Sequence, residues 1–226
     1  IKKMSPRLNN MPLKVAIVPV TAYQQNCSIL VCENSRKAAL VDPGGEAERL
    51  LSALAELGVT LEAIFLTHGH LDHVGAAADI SAALNVPVIG PHQADKYWLD
   101  GLDRFADMMG FPATRNLVPD QWLKDGDTVC FGEITLHVLH CPGHTPGHVV
   151  FYHPQSALAL VGDVLFQGSI GRTDFPGGSH EQLIQSITQK LWPLGDEVQF
   201  IPGHGAVSTF GEERASNPFV ADSRFG

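Results

Sequence analysis

The chain carries no basic run, no long apolar stretch and no paired-cysteine motif, and each absence removes a class of function. With a net charge of −9 there is no electrostatic footprint for nucleic acid, and no such partner is expected. No apolar segment approaches the ~20 residues a membrane helix needs. The opening residues, IKKMSPRLNN, lack the apolar core and cleavage site of a secretory signal. No membrane partner is therefore expected. The four cysteines, Cys27, Cys32, Cys130 and Cys141, have no C-x-x-C spacing and read as reduced thiols of a cytoplasmic protein rather than a disulfide framework. Repeats, linkers and low-complexity segments are missing too. Charged residues make up 17% and hydrophobic residues 44% of 226 residues, which suits a globular domain with a substantial core. We read residues 11–226 as that domain. Residues 1–10 read as an appended or disordered N-terminus, with the native start at Met11. A monomer or small homo-oligomer is expected.

What the chain has is a seven-residue stretch, Thr67–His73 (THGHLDH), with three histidines and one aspartate. The preceding Leu61–Leu66 reads as a strand. Side chains two apart on an extended backbone share a face, so His68 and His70 point into one site, and Gly69 lets the chain turn between them. A helical pattern starts near Asp72, which places Asp72 and His73 on its first turn. A lone histidine is more often a satisfied polar residue than a ligand. Four ligand-type side chains in six positions at the end of an apolar strand are better explained as metal ligands.

The rest of the pattern is strands, then helices, repeated. Val15–Val20, Cys27–Cys32 and Ala38–Val41 read as an antiparallel meander. Leucines at 50, 51, 54 and 57 give Glu46–Leu57 a helical period that Gly58 stops. His73–Leu84 reads as a helix and Pro87–Gly90 as an edge strand. Residues 91–127 read as short helices in a surface excursion. A second β-rich block covers Thr128–Phe131, Ile134–Leu139, His148–His153 and Ala157–Val161. Ser179–Leu191 reads as a helix, Val198–Ile201 as a strand and Phe210–Ala215 as a short helix. Two such halves, with mixed sheets face to face and helices outside, give an α/β fold of four layers, an αββα sandwich.

Three more strand ends carry a ligand-type residue beside glycine or proline: His144 in HCPGHTPGH, Asp163 after Gly162, and His204 in PGHG. Sheet ends bring such loops to one rim. The inventory is His68, His70, Asp72, His73, His144, Asp163 and His204. It is too large for one ion, which takes three or four protein ligands, and fits two divalent transition ions about 3.5–4 Å apart. His68, His70 and His144 are assigned to one, Asp72, His73 and His204 to the other, and Asp163 bridges them. Nitrogen and oxygen donors suit zinc, iron or manganese. Asp42, ahead of Pro43-Gly44-Gly45, is a candidate acceptor for a ligand imidazole. His148 orients a ligand or caps the loop; His92, His137, His140, His153 and His180 read as structural or solvent-facing, and Cys141 as packing.

THGHLDH, PGHTPGH, Gly162-Asp163 and PGHG resemble the metallo-β-lactamase-fold hydrolases, from about Val15 to Phe219. Within them the chain is similar to glyoxalase II, of the short bacterial type. The resemblance implies hydrolysis of the thioester of S-lactoylglutathione, a glutathione conjugate, to D-lactate and glutathione. Two dications lower the pKa of a shared water to yield hydroxide near neutral pH. Asp72 is then both ligand and proton acceptor, the catalytic carboxylate. Arg172, in GSIGRTDFPGG, resembles by position the lysine with which two-domain glyoxalase II contacts a glutathione carboxylate; a salt bridge with Asp174 is the other reading. The long type continues into a helical domain where this chain ends, so broader thioester or ester turnover is also expected. GRTDF resembles glutathione persulfide dioxygenases too, which would use one iron on His68, His144 and Asp163. Lactone, β-lactam or phosphodiester hydrolysis and a metal-stabilised interaction domain complete the alternatives.

Overall fold

A computed structural model describes residues 2–3 and 12–224. The reading of residues 1–10 falls, apart from the backbone of Lys2 and Lys3, outside the described residues. The first half comprises β1 (Lys2–Lys3), β2 (Leu13–Val20), β3 (Gln25–Cys32), β4 (Lys37–Val41), α1 (Ala47–Leu57), β5 (Thr60–Phe65), α2 (Leu71–Val74), α3 (Ala77–Leu84) and β6 (Val88–Ile89). The helices α4 (Lys96–Leu99) and α5 (Leu102–Met109) follow. The second half has β7 (Thr128–Phe131), β8 (Ile134–His140), β9 (Val149–His153), β10 (Leu158–Gly162), β11 (Leu165–Phe166), β12 (Ser169–Ile170), α6 (His180–Ser186), β13 (Gln199–Pro202), β14 (Ser208–Thr209) and α7 (Phe210–Ser216).

Two six-stranded sheets form, in the orders β1-β2-β3-β4-β5-β6 and β14-β13-β10-β9-β8-β7, and β11–β12 is a separate hairpin. The meander β2-β3-β4 is antiparallel, whereas β4-β5-β6 run parallel. In the other sheet β10 and β13 are parallel. Both sheets are therefore mixed. Strands covered on both faces read as apolar runs, as in β10, where every residue is buried. At the outer edge of the second sheet, β7 and the start of β8 alternate between exposed and buried, as a half-covered strand must.

Three apolar clusters mark the interfaces. One lies between the sheets, where Phe65 of the first sheet meets Phe131 and Phe151 of the second at ring distances of 6.3 and 5.5 Å. One packs α1, α3 and α5 on the first sheet, and one packs α6 and α7 on the second. This is the four-layer αββα sandwich.

Three details depart from the sequence reading. The helix expected over His73–Leu84 is two helices, because the Ala76 amide turns aside to the Pro43 carbonyl at 2.9 Å. Beyond Ser186 the helix expected to reach Leu191 widens into π geometry, followed by a 3₁₀ turn at Trp192–Leu194. Residues 91–127 are no mere surface excursion: Asp95, Leu99, Leu102, Ala106, Leu117 and Leu123 are buried.

Phe65 is fully buried at the joint between the sheets. Phe65→Ala is expected to destabilise the protein by about 3–5 kcal/mol, read as a lower denaturation midpoint at unchanged denaturant slope.

Candidate metal centre

The strand ends meet at one rim of the sandwich. The His68–His73 segment leaves β5, His144 lies in the β8–β9 loop, Asp163 follows β10 and His204 follows β13. Because β10 and β13 run parallel, Gly162 and Pro202 lie side by side, and the Gly203 amide donates to the Gly162 carbonyl at 2.7 Å. All seven sequence-selected side chains converge. Ligand atoms of His68, His70 and His144 lie within 4.8 Å of one another, as do those of Asp72, His73 and His204. Asp163 stands between the sets: Oδ1 is 3.3 Å from His73 Nε2, and Oδ2 is 3.6 Å from His144 Nε2 and 3.7 Å from His204 Nε2.

Hydrogen bonds behind the rings decide which nitrogens carry lone pairs. The Thr67 hydroxyl donates to Asp42 Oδ2 at 2.5 Å, so its oxygen accepts from His68 Nδ1–H at 3.0 Å and leaves His68 Nε2 bare. His144 Nδ1–H donates to the Arg172 carbonyl at 2.8 Å, leaving its Nε2 bare. Both bare nitrogens face His70 Nδ1, at 3.1 and 3.0 Å. On the other side His73 Nδ1–H donates to Asp42 Oδ2 at 2.8 Å and His204 Nδ1–H to the Tyr23 carbonyl at 3.2 Å. Their Nε2 atoms turn to carboxylates, His204 Nε2 standing 3.2 Å from Asp72 Oδ2. His70 Nε2, His73 Nε2 and Asp163 Oδ1 are buried without a hydrogen-bond partner. Three ring nitrogens converge on one point with at most one proton among them, His70 Nδ1–H, and the second set gathers two carboxylates around two imidazoles; imidazole and carboxylate groups so placed fit divalent transition ions.

The electrostatics of the two sets differ. Burial holds His68 well below the ordinary histidine pKa and, reinforced by His144, brings His70 down to about 3. Burial also lowers His144. These three rings are neutral, the form that ligates metal. Burial also opposes charge on His73 and His204, but it is outweighed: Asp163 and Asp72 hold His73 well above the ordinary value, and Asp72 and Asp163 raise His204. Asp163 is buried, yet His73, His144 and His204 keep it ionised far below the usual carboxylate range. The carboxylates thus require positive charge beside them, from protons on these rings or from a metal.

Other residues fall into supporting places. Asp42 accepts from the Thr67 amide at 2.7 Å as well as from Thr67 Oγ1 and His73, the ring-orienting place envisaged for it. His148 stacks on His68 with ring centres 4.6 Å apart and accepts from the Asp163 amide at 3.0 Å. Cys141 is buried in the apolar cluster beneath α6, which pushes its thiol up to about 12. Arg172 lies outside both ligand sets. Its guanidinium makes two 2.6 Å bonds to exposed Asp174 and covers the Phe175 ring at 4.4 Å. Trp98 and Phe175 wall His70, their rings 4.4 and 4.8 Å from it.

The sequence reading passed over Asn26 and Asp95. The Asn26 amide donates to the Gly203 carbonyl at 2.7 Å and its side chain to the carbonyls of Pro202 and Gly205 at 3.0 Å each, gripping the His204 loop. Asp95 accepts hydrogen bonds from both histidine loops. Neither follows an apolar strand with a glycine or proline beside it, the pattern that marked the others.

Asp42→Ala strands the Thr67 and His73 donors in a buried site. It is expected to weaken ion binding at Asp72, His73 and His204 by about 10–100-fold, measured by competition with a chromophoric chelator.

Residues 20–204 match the family model described as the metallo-beta-lactamase superfamily. The chain is 46% identical over 209 residues to hydroxyacylglutathione hydrolase GloC of Haemophilus influenzae, covering 92% of this chain and 98% of that one. Among solved structures, the BLEG-1 B3 metallo-beta-lactamase superposes with a TM-score of 0.84 at 37% identity, over 91% of this chain and 99% of that one. TTHA1623, crystallised in a di-iron-bound form, gives 0.83 at 39% identity, over 91% and 100%. Matched along most of its length by that family model and by these relatives, the chain belongs to the metallo-beta-lactamase superfamily.

Proposed function

We propose that this protein is a hydrolase using two metal ions, which cleaves hydroxyacyl thioesters of glutathione, S-lactoylglutathione among them, to a hydroxy acid and free thiol. The observation that carries the reading is the pair of ligand sets on either side of Asp163. The 46% identity to a hydroxyacylglutathione hydrolase supports the substrate class.

In this reading His68, His70 and His144 would hold one ion and Asp72, His73 and His204 the other, with Asp163, which lies between the two sets, available to both. Such ions, zinc, iron or manganese, lower the pKa of water and polarise a carbonyl oxygen. The protein's groups do the rest. Thr67, the Arg172 carbonyl, Asp42 and the Tyr23 carbonyl fix four imidazoles in the tautomer that presents Nε2. Asp72, paired with His204 and partly open to solvent, takes the proton released when water adds to the thioester carbon. Expulsion of a thiolate needs no strong general acid. Arg172 would bind a substrate carboxylate by exchanging its exposed Asp174 partner, a pairing that contributes little at the surface.

Two other chemistries stand beside this one. A persulfide dioxygenase needs one iron with open positions on His68, His144 and Asp163. His70 Nδ1, within 3.1 Å of both histidine nitrogens, and the assembled second set weigh against it. The likeness to BLEG-1 brings β-lactam amides into the comparison.

Elemental analysis and an anaerobic panel of glutathione thioesters, lactones and β-lactams on one preparation test the reading. Two metals per chain with preferential thioester cleavage are expected; one iron with oxygen uptake would replace it by the dioxygenase. Asp163→Ala should lose metal and turnover together. Arg172→Ala should raise KM for a glutathione thioester about tenfold, the worth of one charge-assisted hydrogen bond, with kcat little changed. An unmoved KM would reduce Arg172 to its salt bridge.

A further inference from the structure

The carboxylate of Asp95 comes from the stretch between the two halves, well away in sequence from every ligand. It is fully buried and saturated by donors. Oδ2 accepts from the Gly69 amide at 2.9 Å and from Thr145 Oγ1 at 2.8 Å, and Oδ1 accepts from the Gly147 amide at 2.5 Å. Gly69 stands between His68 and His70, while Thr145 follows His144. One side chain therefore grips both loops that supply the all-histidine set.

The packing around it is close enough to restrict sequence. A Cβ on Gly69 would lie 2.8 Å from Trp98 Cβ and 3.2 Å from the Asp95 carbonyl oxygen. On Gly147 it would lie 2.5 Å from the Asp95 amide nitrogen. Both backbone amides that Asp95 holds belong to glycines. At their base the two loops share one backbone bond, from the Val149 amide to the Thr67 carbonyl at 2.7 Å. Asp95 adds the second point of attachment, at the tips, and two points prevent hinging where one does not. The other set makes no bond to Asp95: His73 leans on Asp42, and the His204 loop on Asn26 and Tyr23.

We propose that Asp95 is a positioning residue that holds the His68–His70 loop against the His144 loop and so sets the affinity of the all-histidine ion site, independently of the Asp72–His73–His204 site. This rests on the reading that each set holds an ion. It gives the 91–127 stretch a role at the metal centre.

Zinc affinity, measured by chelator competition, tests it. In a His204→Ala background the all-histidine site is read alone; in a His144→Ala background the other site is. Asp95→Asn turns one acceptor into a donor facing donors. It should weaken zinc at the all-histidine site about 10–100-fold, the range seen when groups behind metal ligands are removed. The other site should change less than about threefold. Thr145→Val removes one of three bonds and should have a smaller effect of the same kind, and Thr145→Ser should restore wild-type affinity. Should Asp95→Asn fail to fold, Thr145→Val decides. Unchanged affinities, or equal losses at both sites, would overturn the role assigned to Asp95. Failure of the wild-type protein to bind two ions would instead remove the two-metal reading itself.

Discussion

Buried and half-buried imidazoles and carboxylates crowded together with few protons among them are the constraint on which this structure turns. His68 and His144 aim bare nitrogens at His70, while His73 and His204 aim theirs at Asp72 and Asp163. Without protons or a metal ion between them, the buried members of such a cluster lose hydration with nothing in return. The fold supports it because each acceptor belongs to a loop anchored at a strand end, and the strands are locked by the apolar core between the sheets. The centre can be held tightly because the layer beneath it barely yields.

The groups behind the ligands do much of the organising. Asp42 reaches Thr67 and His73 at once, so one carboxylate aligns the first turn of the ligand segment and fixes the tautomers of His68 and His73. The Arg172 carbonyl does the same for His144. That carbonyl follows the β11–β12 hairpin, which is held from beneath by Glu213 of α7 and by Asn217, the residue after that helix: the Gly168 amide donates to Glu213 at 2.8 Å, and Asn217 donates to the Ser169 carbonyl at 3.0 Å. A buried polar network at the far layer thus reaches the metal rim through the backbone.

Much of the fold was legible because its strands are covered on both faces and read as short apolar runs, and because Gly58 ends α1 in a left-handed turn. The helices were harder. Val74 and Ala77 belong to one apolar pattern, yet the chain breaks between them for a hydrogen bond to Pro43, distant in sequence. The 91–127 stretch looked peripheral because its periodicity is weak, while its burial comes from contacts with residues far along the chain.

The sequence by itself determined the donor inventory, the strand ends that carry it and the family resemblance, since these reside in short spacings and side-chain chemistry. The division of the donors into two sets was also readable from their spacing, whereas tertiary structure decided which ring nitrogen four of the imidazoles present and that Arg172 rests on Asp174. It also brought in Asp95 and Asn26. Their partners lie across loops that meet only when the sheets pack, and a contact between distant segments leaves no periodic trace along the chain.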